Sequence, residues 1–258
     1  MTGPVRLVAS DVDGTLVTHG GVLPLGRREA VAAVRAAGIP MILATGRLWS
    51  SIAELGERLE LDGPHVSCNG SAVVGTDGVF HALELVDASL ADTLAAELHR
   101  RRIPHAVYLE DGTLVTDAVV PDHDVLALLD EPLPTVGARD GRGVIKVLAF
   151  VGADDEADLR TIGHDVARVQ RTGPRFLEWS SPDADKSTGV ALAAATLGLE
   201  LTDVVAIGDA ENDVPMLRRA GLGVAVAGAA PAAVDAADVS LDDDLDALDG
   251  AADAAELA

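Results

Sequence analysis

The sequence is poor in cysteine, in aromatic residues and in positive charge. Cys68 is the single cysteine among 258 residues, so no disulfide can form within the chain, and a reducing compartment such as the cytoplasm is the expected location. Phe, Tyr and Trp together make up 2% of the residues, so we expect a core of Ala, Val and Leu. This composition favours helices packed on a sheet over an aromatic-rich binding barrel.

Acidic residues outnumber basic residues by more than two to one. The chain has 42 Asp and Glu against 19 Lys and Arg, a formal net charge of −23. Such a surface repels nucleic acid and anionic membranes, because binding to either depends on neutralising phosphates with Lys and Arg. The sequence shows no charged leader before an apolar run and no stretch long enough for a membrane span. We therefore expect a monomer or homodimer that binds neither nucleic acid nor membranes.

Strand and helix patterns alternate at both ends of the chain. The short apolar run Val5–Ala9 leads into Ser10 and Asp11, a pattern typical of a buried parallel strand. Further strands are predicted at Pro40–Ala44, His65–Cys68, Val204–Ile207 and Gly223–Val226, and helices at Leu25–Ala37, Leu48–Leu59, Lys186–Leu197, Val214–Ala220 and Pro231–Ala237. This order predicts an α/β fold with a doubly wound, Rossmann-like parallel sheet.

The middle of the chain mixes hairpins with helices. Hairpins are predicted around the turns at 75–78 and 110–112. The remaining predicted elements are helices Ala88–Arg101 and Asp154–Val169 and strands Val144–Val151 and Arg175–Trp179. We expect an α+β cap domain over residues 84–181, inserted into a core domain of residues 1–83 and 182–258. The acidic tail after residue 241 carries Leu245 and Leu248 on one helical face with Leu241, so it too is predicted to be helical.

Polar residues follow the strands of the predicted core sheet. In an open parallel sheet, ligands bind at the carboxyl ends of the strands. Those ends carry Asp11-Val12-Asp13-Gly14-Thr15, Thr45-Gly46-Arg47, Asn69-Gly70 and Gly208-Asp209-Ala210-Glu211-Asn212-Asp213. Two carboxylates about 4 Å apart repel each other by roughly 4 kcal/mol at an effective dielectric constant near 20. Such a cluster requires a cation, and oxygen ligands that leave positions for water and phosphate favour Mg²⁺.

Individual residues at these strand ends suit phosphate chemistry. Asp11 and Asp13 are two residues apart and share one face of an extended segment. This arrangement suits one of them as the nucleophile and the other as the general acid and base. Thr45 offers a hydroxyl to a phosphoryl oxygen, and Lys186, one of two lysines, offers a compact cation. Arg47 is left open between substrate and a surface ion pair. No phosphate-binding P-loop and no complete dinucleotide fingerprint occur.

The ordered motifs resemble those of the haloacid dehalogenase-like superfamily, and in particular its Cof-like phosphatases. The motifs are Asp11-Val12-Asp13-Gly14-Thr15-Leu16, Ala44-Thr45-Gly46-Arg47, Lys186 and Gly208-Asp209-x-x-Asn212-Asp213, and the resemblance spans the whole chain. It implies a Mg²⁺-dependent phosphatase acting on small phosphorylated metabolites, such as sugar phosphates or cofactor phosphates, beneath a closing cap. Two positions depart from the family pattern, Ser187 where Gly is frequent and Ala227-Gly228 where Gly-Asn is usual.

The resemblance also implies a role for each motif residue. Asp11 would attack phosphorus and form an aspartyl-phosphate, while Asp13 would protonate the leaving oxygen and then activate water. Thr45 and Lys186 would bind the phosphoryl group, with Asn212 near it. Mg²⁺ would be bound by Asp11, the backbone carbonyl of Asp13 and Asp209, with Asp213 in or just behind the metal shell. Gly46 and Arg47 are further candidates for substrate binding.

Four alternatives stay open on the sequence alone. A phosphomutase of the same superfamily would return the phosphoryl group to its substrate instead of passing it to water. A receiver-like signalling module would accept phosphate on an Asp without needing Asp13, and a sugar-phosphate binder would lack catalysis. Finally, Asn212 and Asp213 would merely cap the following helix if they had no part in the site.

Overall fold

The computed structural model describes residues 5–117, 131–172 and 175–241. By their contacts these residues form two compact units, one within 1–46, 52–81 and 185–258 and the other within 47–51 and 82–184. The assignment of a catalytic core to 1–83 and 182–258 and of a cap to 84–181 stays a prediction. The predicted helical tail after residue 241 lies outside the described residues.

The first unit is built on a parallel sheet. Its strands are β1 (Leu7–Ser10), β2 (Met41–Leu43), β12 (Val204–Gly208), β13 (Leu222–Ala225) and β14 (Val239–Ser240), in the order β14-β13-β12-β1-β2. All neighbouring pairs are parallel. The chain winds outward in one direction from β1 and in the other from β12, so the strand order reverses between these two central strands. The predicted doubly wound sheet is confirmed.

Shorter elements complete the first unit. Strand β3 (His65–Ser67) joins the edge of the main sheet through a single parallel bridge between Ala44 and Val66, and forms a three-stranded sheet with β4 (Ala72–Val74) and β5 (Phe80–Leu83). The helices are α1 (Leu25–Ala36), α5 (Lys186–Thr196), α6 (Val214–Arg219), α7 (Pro231–Val234) and, from Ile52 onward, α2 (Trp49–Arg58). Helix α7 is one turn shorter than predicted, and the other four lie within one residue of their predicted bounds.

The second unit is an α+β structure. Its six strands are β6 (His105–Leu109), β7 (Leu114–Thr116), β8 (Thr135–Val136), β9 (Val144–Phe150), β10 (Arg168–Arg171) and β11 (Phe176–Ser180), in the order β10-β11-β9-β6-β7-β8. Helices α3 (Ala88–Arg101) and α4 (Ala153–Leu159) belong to the same unit. Leu94 and Leu98 of α3 share an apolar cluster with Val107, Val147 and Trp179 of the strands, so this unit has a core of its own.

One predicted helix is wrong over its second half. The apolar spacing predicted a helix at Asp154–Val169, whereas α4 ends at Leu159 and Arg168–Arg171 form a strand that pairs antiparallel with β11. Gly163 lies between them with φ of +70°, a left-handed conformation that a continuing helix does not allow. Pairing with a neighbouring strand outweighs the local helical period.

None of the helices in the described ranges combines the length and the apolar character that crossing a bilayer requires.

Candidate active site

The carboxyl ends of the two central strands lie side by side and carry acidic residues. Asp11 directly follows β1 and Asp209 directly follows β12. The backbone N–H of Asp11 donates to the carbonyl of Ile207, at 2.9 Å, which extends the parallel ladder to the end of β1. Ligands of doubly wound folds bind where the strand order reverses, and this is the edge of the sheet at that point.

Three carboxylates meet at this edge. Oxygens of Asp11, Asp209 and Asp213 lie within 4.8 Å of one another, and all three residues are buried. Lys186, at the first position of α5, places its Nζ 2.5 Å from Asp11 Oδ1 and 2.6 Å from Asp213 Oδ1. Its side chain has no solvent exposure. Three carboxylates and one ammonium group therefore share a buried site.

Burial and the neighbouring charges shift the pKa of both partners of the central ion pair. Burial raises the pKa of Asp11 to about 7, and Asp213 and Asp209 add to this rise while Lys186 opposes it. Burial would by itself lower the pKa of Lys186, but Asp11 and Asp213 outweigh it and hold that pKa above its usual value. Lys186 thus stays protonated. The carboxylates of the cluster still outnumber its one ammonium group, so the cluster can bind a further cation.

Backbone and hydroxyl donors hold the acidic side chains in place. Asp213 Oδ2 accepts from the backbone N–H groups of Asp209 and Ala210, both at 3.0 Å, so its carboxylate turns back onto the loop and makes no hydrogen bond that caps α6. Thr15 Oγ1 donates to Asp209 Oδ1 at 2.9 Å. Gly14 has φ of +91°, and a Cβ there would stand 2.3 Å from Asp209 Oδ2, so only glycine fits.

A second group of residues lies at the neighbouring strand end. Thr45 is buried, and the N–H of the preceding Ala44 donates to the carbonyl of Ser10 at 2.8 Å, which places Thr45 beside the end of β1. The Thr45 carbonyl accepts from the backbone N–H of Asn69 at 2.9 Å. Asn212 Nδ2 donates to Asn69 Oδ1 at 3.0 Å. Thr45, Asn69 and Asn212 therefore form one hydrogen-bonded group.

Asp13, His19 and Arg47 stand outside the group of three carboxylates. Asp13 is half-buried in the loop after Asp11, where it forms a backbone bridge with Val17. His19 is exposed, and its ring lies against Gly14, so close that a Cβ on Gly14 would stand 2.9 Å from its Cε1. Arg47 belongs to the second unit. The catalytic role of Asp13 and contact of Arg47 with substrate stay predictions.

Comparison with known proteins decides the family. The model of the haloacid dehalogenase-like hydrolases matches residues 8–254 of the chain. This chain belongs to the haloacid dehalogenase-like hydrolases. The resemblance seen in the motifs is thereby confirmed.

Relatives within this hydrolase family are named phosphatases. The chain is 30% identical over 247 residues to pyridoxal phosphate phosphatase YbhA of Escherichia coli K12, a match that covers 87% of this chain and 88% of that protein. It is 28% identical to the phosphoglycolate phosphatase of Methanopyrus kandleri, covering 92% and 90%. A haloacid dehalogenase-like hydrolase from Bacteroides thetaiotaomicron superposes with a TM-score of 0.82 at 25% identity, covering 95% and 97%. The chain is accordingly a phosphoric monoester hydrolase.

Two residues of this hydrolase's site were given no role from the sequence. Thr15, which binds Asp209, closes the first motif, and Asn69, which binds Asn212, follows the third strand. The available signal was their position, because Thr15 lies in the loop after β1 and Asn69 in the turn after β3. Their hydrogen-bond partners lie 194 and 143 residues away along the chain, and spacing alone does not identify partners at that separation.

Proposed function

We propose that this protein is a Mg²⁺-dependent phosphatase that hydrolyses a small phosphorylated metabolite through an aspartyl-phosphate on Asp11. The observation that carries the proposal is the buried Asp11 carboxylate, which shares its site with Asp209, Asp213 and the ammonium of Lys186. The relatives support the substrate class, since one is named for pyridoxal phosphate and another for phosphoglycolate. Both compounds are phosphate esters of small metabolites.

The donor set fits Mg²⁺. The three carboxylates that converge here, on Asp11, Asp209 and Asp213, all offer oxygen, and when ionised their negative charge exceeds the positive charge of Lys186 by two. Hard divalent cations prefer oxygen ligands, and Mg²⁺ commonly keeps positions for water and a substrate phosphate. We propose these three carboxylates and the backbone carbonyl of Asp13 as its ligands. The bound ion would supply positive charge against the oxygens of the phosphoryl group.

Two carboxylates would divide the chemistry. An oxygen of Asp11 attacks phosphorus while the bond from phosphorus to the leaving oxygen breaks, and Asp13 gives its proton to that oxygen. Asp13 then takes a proton from water, whose oxygen attacks the aspartyl-phosphate and releases inorganic phosphate with Asp11 restored. Lys186 favours the ionised form of Asp11 before the attack, because its ammonium is held 2.5 Å from Asp11 Oδ1 and opposes the rise in the pKa of that carboxyl.

The remaining residues would hold the phosphoryl oxygens. We assign this role to the Thr45 hydroxyl, the Gly46 backbone N–H and the Asn212 amide, together with Lys186. Donors fixed in advance around the phosphoryl group stabilise the charge that spreads over its oxygens in the transition state. Arg47 is assigned to the substrate as well, on the strength of its place in the Thr45-Gly46-Arg47 motif.

A panel of phosphorylated metabolites tests the proposal. Phosphate release is expected with Mg²⁺, lost with a chelator and restored when Mg²⁺ is added back. Asp11→Asn is expected to reduce release to background, because an amide is a poor nucleophile. Asp235→Asn, the same change at an exposed position of the same unit, is expected to keep the wild-type rate. Undiminished turnover in Asp11→Asn would remove Asp11 as the nucleophile.

The products separate hydrolysis from the phosphomutase alternative. A phosphatase releases one inorganic phosphate for each ester consumed, whereas a mutase converts one phosphate ester into its isomer without net release. Membership in the hydrolase family sets the receiver-like alternative aside.

We also propose a cytoplasmic location. Cys68, the single cysteine of the chain, is buried and forms no disulfide within it, which is consistent with the reducing compartment expected from the sequence.

A further inference from the structure

The turn that follows β3 has an unusual backbone. Cys68, Asn69 and Gly70 have φ values of 50°, 55° and 97°, so three successive residues adopt the left-handed region. Only glycine enters this region freely, and each other residue costs on the order of 1 kcal/mol or more. Two non-glycine residues in succession therefore point to a contact that this backbone makes possible.

Asn69 is the residue at which the contacts of this turn converge. Its backbone N–H donates to the Thr45 carbonyl at 2.9 Å, and its Oδ1 accepts from Asn212 Nδ2 at 3.0 Å. Its amide also lies against Gly46, where a Cβ would stand 3.0 Å from Asn69 Oδ1. One side chain, 7% exposed, thus contacts the strand-end loop on one side and Asn212 on the other.

Gly70 anchors the same turn against the helix that carries Lys186. A Cβ on Gly70 would overlap the carbonyl oxygen of Asp185, at 1.9 Å, so the two backbones are in close contact. Asp185 is the N-cap of α5, and its side chain accepts from the backbone N–H of Thr188 at 2.9 Å. The position of Asn69 is therefore fixed by the start of α5 and by the loop after β2, independently of Asn212.

We infer that Asn69 is a positioning residue, which orients the Asn212 amide toward the phosphoryl group of the substrate. The inference rests on the proposed function. Asn212 is half-buried, and its Nδ2 has two N–H groups. The hydrogen bond to Asn69 uses one of them and fixes the plane of the amide, so that the second N–H is held in one direction before substrate arrives. A donor oriented in advance loses less entropy on binding than a freely rotating one.

The chemistry of Asn suits this position. Asn tolerates the left-handed backbone better than most residues, and its short amide is neutral. Asp would offer the same acceptor to Asn212 with an added negative charge, and Gly would keep the backbone but lose the acceptor. These two substitutions separate the hydrogen bond from the backbone conformation.

The test measures what Asn212 contributes in three backgrounds, which are the wild type, Asn69→Asp and Asn69→Gly. In each, the effect of Asn212→Ala is measured on the affinity for inorganic phosphate with Mg²⁺ and on kcat/KM for a phosphomonoester. In the wild type we expect Asn212→Ala to weaken both about tenfold, the loss of one hydrogen bond to a charged group. In the Asn69→Asp background we expect Asn212→Ala to have the same tenfold effect, because the carboxylate still accepts a hydrogen bond from the Asn212 amide and holds it in place.

In Asn69→Gly we expect Asn212→Ala to cost less than about twofold, because the amide is already unanchored. A residue with a purely structural role would leave the cost of Asn212→Ala equal in all three backgrounds, and that result overturns the inference. A loss of this cost in Asn69→Asp overturns it too. If Asn69→Gly does not fold, Asn69→Ala takes its place, because it also removes the acceptor, and Asn212→Ala is again expected to cost less than about twofold.

Glu60→Gly is the matched control. Glu60 is another non-glycine residue of the same unit with positive φ, 53°, and its side chain forms an exposed ion pair with Arg35. We expect phosphate affinity and kcat/KM to stay within about twofold of wild type, since such pairs contribute little.

The two proposals fail in different ways. If Asp11→Asn still releases phosphate while the phosphate-binding results depend on residue 69 as expected, the proposed mechanism fails and the inference about Asn69 stands. If Asp11→Asn is inactive but the cost of Asn212→Ala is the same in every background, only the inference about Asn69 fails.

Discussion

At the scale of single residues, the site is defined by an imbalance of charge. Lys186 contacts Asp11 and Asp213 at the same time, so it cannot neutralise both, and Asp209 adds a third carboxylate. Removing such groups from water is costly unless each charge is compensated. The Asp11 carboxyl responds with a pKa near 7, which leaves it partly protonated at neutral pH in the metal-free protein.

The raised pKa of Asp11 predicts that Mg²⁺ binding depends on pH. Because the ion must displace a proton from Asp11, its apparent affinity is expected to fall about tenfold for each pH unit below 7 and to level off above that pH. Calorimetric titration with Mg²⁺ at several pH values between about 5 and 8 measures this. Asp11→Asn is the control and is expected to lose this dependence. An affinity that stays constant over the range would contradict Asp11 as a ligand.

His65 predicts a second pH effect, this time on stability. Its side chain is buried, and Nδ1 accepts from the backbone N–H of Leu43 at 3.1 Å, so the folded protein needs the neutral ring. Burial lowers the pKa of His65 to about 4, while Asp62 opposes this shift. Between pH 6.5 and 4 the unfolded chain takes up a proton that the folded protein does not, so stability falls as the pH falls. The shift corresponds to about 3 kcal/mol.

Substitution of His65 isolates this contribution. Asn is the test residue, because its Oδ1 can accept from Leu43 in place of Nδ1 without titrating. Urea unfolding is expected to show that the free energy of unfolding falls less between pH 7 and pH 4 in His65→Asn than in wild type. His164→Gln, at an exposed histidine, should follow the wild-type curve. Parallel curves for wild type and His65→Asn would mean that His65 is protonated in the folded state.

At the scale of elements, the strands and helices of the first unit were predictable because the sequence patterns that indicate them are local. The apolar runs before Asp11 and Asp209 and the helical period after Lys186 predicted β1, β12 and α5 to within two residues at each end. The parallel arrangement of the strands then indicated that Asp11 and Asp209 would meet. The contact between Asn69 and Asn212 was not predictable, because it depends on the left-handed backbone of Cys68 and Asn69. The residue types Cys and Asn do not by themselves predict that conformation.

The incorrectly predicted helix at Asp154–Val169 gives a prediction about Gly163. An Ala Cβ at this position would stand 2.5 Å from Leu90 Cδ1 and would also require φ of +70°. We expect Gly163→Ala to lower the free energy of unfolding by about 1 kcal/mol for the backbone and a further 1–3 kcal/mol for the overlap, roughly. Urea unfolding checks this value.

Gly141 is the matched control for Gly163. It belongs to the same unit and has φ of +80°, but nothing lies within 4 Å of a Cβ built there. Gly141→Ala is expected to cost only the backbone contribution, about 1 kcal/mol. Equal losses for the two variants would mean that Leu90 moves aside and that the overlap has no cost.

At the scale of the whole molecule, the two lysines stand apart from the other basic residues. Lys146 is buried against Glu178 at 3.0 Å, and Lys186 is buried against Asp11 and Asp213. The other 17 of the 19 basic residues are arginines. Both lysines are therefore held within carboxylate contacts, and the chain as a whole has a net charge of −23 although its site is proposed to receive an anion.

This surplus of negative charge predicts that kcat/KM rises as the salt concentration rises. Long-range repulsion slows the approach of an anionic substrate, and salt screens it, since the Debye length falls from about 30 Å at 0.01 M to about 8 Å at 0.15 M. With free Mg²⁺ held constant, kcat/KM for a phosphomonoester is expected to rise severalfold over that range. The turnover rate at saturating substrate should change little, because the repulsion acts on encounter.

A phosphomonoester that also carries a cationic group is the control and should show a smaller rise. A fall in kcat/KM with salt would mean that the field at the site entrance is positive, with local arginines outweighing the net charge of the chain.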